Sequence, residues 1–167
     1  MLDGRFNEAV PLLESAREIE GTAEWNLAYS YYYYAGREAE AEAMLRQPYR
    51  SARSERRARA TLASFLAAKG ETAATAEAKE LVRVVTSAPY QDHHVAYALG
   101  AAYAQLDMHT EALVWLQKAR TSGFRCYPWY DRDPLLAPLR QNADFQRFLQ
   151  DFKQSWETTK IKYETER

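Results

Sequence analysis

The amino-acid sequence predicts an all-α fold, a stack of antiparallel helical hairpins closed by a C-terminal capping helix. Three observations carry this. Leu27-Ala28-x-x-Tyr31, Leu62-Ala63-x-x-Leu66 and Leu99-Gly100-x-x-Tyr103 repeat one pattern at steps of 35 and 37 residues. Each copy is followed by a turn signal, Gly36, Gly70 or Asp107. After the turn a second apolar pattern follows, Ala41 and Leu45 in one unit, Ala112, Leu116 and Ala119 in another. A period in this range is the signature of helix-pair arrays. The spacing also has a mechanism: a large residue, a small one beside it and a ring or Leu three places on share one helical face. The small residue admits a neighbouring helix, and the large ones fill the space around it.

Taken in order, the pattern places helices at 5–19, 22–35, 37–46, 51–69, 71–86, 91–106 and 109–121. The breaks fall at Gly21-Thr22, Gly36, Gln47-Pro48, Gly70, Ala88-Pro89 and Gly123. Thr22 and Ser51 are N-cap residues. Short connections make consecutive helices antiparallel neighbours. The aromatic run Tyr31–Tyr34 is β-prone in isolation but lies in register with the repeat, so it reads as helix. From Phe124 to Tyr130 the sequence is aromatic and reads as a packed connector rather than a helix. Asp133-Pro134 then starts a short helix to about Arg140, with Asp as N-cap and Pro at the first helical position. A last helix begins at Asn142 or Asp144, carries Phe145, Phe148, Leu149, Phe152 and Trp156 on one stripe, and frays beyond Trp156.

These residues resemble the tetratricopeptide repeat. The third unit, from Leu99 through Tyr103, Asp107 and Ala112 to Ala119, follows that family's pattern closely; the middle unit is degenerate where Thr75 and Ala76 compete for one small-residue slot. The resemblance covers residues 1–124, as a half repeat at 1–20 and units at 21–48, 55–88 and 92–124, with 125–167 as connector and capping helices. It implies a right-handed α-α superhelix that binds proteins or peptides in its concave groove. The half repeat, Gly4 to Ala16, implies a preceding helix and hence a fragment of a longer chain; its stripe, including Val10 and Leu13, is then expected to be bare. The tail from Trp129 to Leu149 is similar to the end of such arrays in large bacterial signalling proteins, kinases and winged-helix regulators among them. That implies a scaffold or regulatory arm of a larger bacterial protein. No kinase or winged-helix residues are present, so those activities do not carry over.

Composition bounds the rest. The 167 residues, 47% hydrophobic and 27% charged, suit one folded unit. A net charge of −1 argues against a general nucleic-acid binder. The single cysteine, Cys126, forms no internal disulfide framework and fits a reducing, cytoplasmic setting. No apolar run reaches the roughly 20 residues of a membrane span, so membrane insertion is not expected of this segment. No phosphate loop, triad or nucleophile elbow occurs, and the expectation is a chain without catalytic residues, cofactor or metal.

Candidate binding residues follow from the repeat. In such arrays the first helix of each pair lines the concave face. Trp25, Tyr29, Tyr32 and Tyr33 occupy a face apart from Leu27 and Tyr31; on the next first helices the matching positions include Ser64, Tyr97 and Gln105. This predicts a groove with an aromatic wall for a peptide, since Tyr and Trp offer large rigid contact area. The alternative is that the rings pack inside the array. Arg53, Arg56 and Arg57 form a basic face that either binds an anion or pairs with acidic neighbours. Asp92-His93-His94 lacks the further ligands of a metal site. A homo-oligomer, with a second copy in the groove, is the structural alternative to a peptide partner.

Overall fold

The computed structural model describes residues 6–20, 28, 31, 35–48, 51–89 and 91–165. Among these the chain is all-helical, with no strand. In order come α1 (Phe6–Glu20), α2 (Glu38–Leu45), α3 (Ala52–Lys69), α4 (Thr72–Thr86), α5 (His93–Gln105), α6 (His109–Ser122), α7 (Tyr127–Arg132), a 3₁₀ helix (Pro134–Leu139) and α8 (Ala143–Thr165). Ala28 and Tyr31 are helical and buried.

The predicted turns form for a common backbone reason. Gly36, Gly70 and Asp107 sit at φ of 64°, 69° and 62°. All three therefore reverse the chain through the left-handed region, which glycine enters freely and aspartate tolerates. Helix starts follow the predicted caps where these are described. Ser51 accepts the Ser54 N–H, Asp133 accepts the Leu135 N–H, and Asn142 accepts the N–H groups of Asp144 and Phe145. Thr22 lies outside the described residues.

Helix α3 packs against both α4 and α5, and α5 packs against α6. The small residues make these approaches possible. A Cβ on Gly100 would lie 2.7 Å from both Cγ and Cδ2 of Leu116, so α6 reaches α5 only because that atom is missing. Ala60 and Ala63 of α3 similarly meet Val82 and Val85 of α4 and Ala98 and Ala102 of α5. A second apolar cluster runs from Val10 on α1 to Phe152 on α8, joining both ends of the chain to one core. The expected bare stripe on α1 is thereby corrected: Val10 is buried and Leu13 packs against the core. Glu14 of α1 also accepts the Tyr31 hydroxyl and pairs with Arg37 at 3.1 Å.

The tail departs from expectation in three places. Tyr127–Arg132 is a helix, with Pro128 in its first turn where a missing N–H costs nothing. The segment after Asp133 is 3₁₀ rather than α, with Pro134 at its start and Pro138 within it. Helix α8 runs on past Trp156 to Thr165.

Candidate functional site

Helix α5 is where Tyr97 and Gln105 of the predicted groove, two arginines of the basic cluster and the tail meet. Asp92 is its pivot. It N-caps α5, one oxygen accepting the N–H groups of His94 at 3.0 Å and Val95 at 3.1 Å. The other oxygen accepts Nε of Arg53 at 3.0 Å and Nε of Arg57 at 2.9 Å, both from α3. Burial pushes the Asp92 carboxyl up, but these donors and the two guanidinium charges outweigh it and hold it down at about 2. Two arginines on one buried carboxylate leave a local excess of positive charge, and Arg53 remains 62% exposed.

His94 stands over this pair. Burial, followed by the charges of His93 and Arg57, lowers its pKa to about 4 against the pull of Asp92, so the ring is neutral near pH 7. A narrow cleft opens beside it, lined by Arg57, Thr61, His94, Tyr97, Phe124 and Trp129. It encloses about 10 Å³, room for a single water molecule and not for a ligand side chain.

The tail closes the other side. Tyr97 is 3% exposed and donates its hydroxyl to Asp133 at 2.6 Å, while its ring stands edge-on to Phe124 and Tyr130. Burial raises the Asp133 carboxyl to about 6, against the hydrogen bonds from Tyr97 and the Leu135 N–H. Arg140 donates to the carbonyl oxygens of Tyr130 and Asp133, each at 3.2 Å. Gln105 donates to the Leu135 carbonyl at 2.8 Å.

The predicted site residues thus separate into three groups. Trp25, Tyr29, Tyr32 and Tyr33 lie outside the described residues. Ser64, Tyr97 and Gln105 do not line an open groove. Ser64 is buried, with its hydroxyl on the Thr61 carbonyl at 2.7 Å, and the 3₁₀ segment covers α5 at Gln105, while Tyr97 packs into the aromatic tail. The reason is physical: an aromatic and leucine-rich tail has more apolar area to bury than the rest of its own length can cover. The arginines separate as well. Arg53 and Arg57 pair with Asp92, as the acidic-neighbour alternative has it, and Arg56 makes no ion pair among the described residues.

Sequence reasoning missed Asp92 and Asp133 as the partners that knit this face together, although both carried a signal. Arg57 and Asp92 are 35 residues apart, and Tyr97 and Asp133 are 36 apart. Both separations are close to the steps of 35 and 37 residues between the Leu-small patterns. It also missed Arg120 and Arg125, which face a groove between α6 and α8.

Asp133 is a buried cap, and the nearby Asp131 is exposed. Among the described residues no cluster of three or more His, Cys, Asp or Glu side chains could hold a metal ion. None of the described helices is long and apolar enough to cross a membrane. Cys126 is half-buried, and burial raises its thiol pKa, which disfavours the reactive thiolate. Comparisons with protein-family models, with curated proteins and with solved structures find no match.

Proposed function

We propose that the chain is a tetratricopeptide-like interaction module, a non-catalytic scaffold or regulatory segment that binds a protein or peptide. The observation that carries this reading is the close crossing of α5 and α6 at Gly100, at the small-residue position of the repeat pattern. Such stacking makes a rigid surface whose exposed residues serve recognition. With the tail covering α5, the reading assigns the contact to the remaining groove residues expected from the sequence, Trp25, Tyr29, Tyr32 and Tyr33. Self-association has less support among the described residues, where the exposed large hydrophobics Leu12, Met108, Val114 and Ile161 are spread over different parts of the chain.

The test uses the full chain as bait beside its Tyr29→Ala/Tyr33→Ala variant. The proposal expects a stoichiometric protein partner that the variant loses while its melting curve is unchanged. A variant that unfolds places the rings in the core. A full chain that only binds itself, by light scattering across a concentration series, sinks the reading.

A further inference from the structure

The surface between α6 and α8 holds a pair of guanidinium groups that no carboxylate neutralises among the described residues. Arg120 reaches from α6 to α8, donating to Ser155 Oγ at 3.1 Å and approaching the Asp151 carbonyl oxygen at 3.5 Å. Its Cζ lies 4.6 Å from the centre of the Phe152 ring. These contacts fix the group without cancelling its charge. Arg125, two residues past Gly123, is exposed. Among the described residues neither pairs with Asp or Glu, whereas Arg37, Arg46, Arg57 and Arg83 each do.

Between the two arginines lies a groove of about 370 Å³ with Phe152 and Trp156 in its wall and no acidic residue in its lining. Thr121 and Thr159 add hydroxyls at its edges. Along α8, Phe152 to Thr159 spans roughly 10 Å, the length of about three extended residues. The lining is therefore longer and more apolar than a point anion requires. An anionic bilayer fits poorly, because the exposed surface of α8 is mixed in sign, with Asp151 and Glu157 beside Lys153 and Lys160, and the excess of positive charge there is confined to the groove between Arg120 and Arg125.

We propose that this groove docks an acidic peptide segment of a partner protein, its carboxylates on Arg120 and Arg125 and an apolar side chain against Phe152 and Trp156. The proposal rests on the reading of the chain as an interaction module but uses a different surface, which shares no lining residue with the α3–α5 cleft.

The probe is a fluorescein-labelled nonapeptide with glutamates flanking a central pair of leucines, titrated with the full chain and followed by anisotropy. Saturable binding is expected, weakened about fivefold or more by Arg125→Gln and by Arg120→Gln, and lost with a glutamine-for-glutamate peptide. Arg125 is exposed, so its variant reports on binding rather than folding. Arg147→Gln, the same charge change on an exposed part of α8, should leave affinity unchanged. No saturation by about 1 mM overturns the proposal, as does an equal loss with Arg147→Gln or binding of the glutamine peptide. Capture of the chain by phosphatidylserine vesicles, or binding of inorganic phosphate, without binding of the peptide also overturns it. A partner lost from the Tyr29→Ala/Tyr33→Ala bait while the peptide fails would leave the module reading standing and remove only this groove.

Discussion

Asp133 and His94 are both held away from their usual titration range, and their effects on stability oppose one another. Asp133 has a folded pKa of about 6 against an ordinary 3.8, so the folded chain takes up its proton first. Acidification through pH 6 toward 4 therefore stabilises the fold through this group. His94 has a folded pKa of about 4 against an ordinary 6.5, so the unfolded chain protonates first. Its contribution is fully present above pH 6.5 and is lost as the pH falls toward 4. In the wild type the two offset one another between pH 7 and pH 5. Asp133→Asn should uncover the histidine, losing about 1–2 kcal/mol over that interval, whereas His94→Gln should gain a similar amount. Urea titrations at both pH values read this directly. Parallel behaviour of the two variants would show that the opposing burial of these groups is wrong. Asp92 does not enter, because its pKa of about 2 places its titration below this window.

Among the elements, the α5–α6 crossing is the most sharply specified. Leu116 is fully buried, so it cannot swing away from a methyl group placed 2.7 Å from its side chain. Gly100→Ala should cost about 1–3 kcal/mol by overpacking, although alanine is the better helix former by about 1 kcal/mol. A more stable variant in a urea titration would mean that the helices stand further apart than described. This crossing was legible in the sequence, because a small residue followed three places later by Tyr103 is a local pattern. The turns at Gly70 and Asp107 were legible for the same reason. The coverage of α5 was not. That Tyr97 and Gln105 face the tail depends on where Asp133 and Leu135 return in space, which neither helical periodicity nor propensity encodes. The same limit explains Arg53 and Arg57, whose basic run was plain while their shared partner Asp92 lay one repeat away. The α6–α8 groove was hidden most completely. Arg120 and Arg125 meet at one groove only once α8 has folded back beside α6.

At the scale of the whole molecule, the tail completes the core. Tyr130, Leu135, Leu136, Leu139 and Phe145 are fully buried, and Phe152 nearly so. Each contributes roughly 1.5–3 kcal/mol by burial, together comparable with the ~5–15 kcal/mol net stability of a typical domain. The central claim is that repeats and tail form one cooperative scaffold built to present a surface. Urea unfolding of the full chain beside residues 1–123 and 1–158, followed by circular dichroism and by tryptophan fluorescence, tests it most directly. The account predicts one coincident transition for the full chain, nearly the same transition for 1–158, and for 1–123 an aggregating or non-cooperative species. A soluble 1–123 fragment with a sharp transition of its own, or two separate transitions in the full chain, would contradict it.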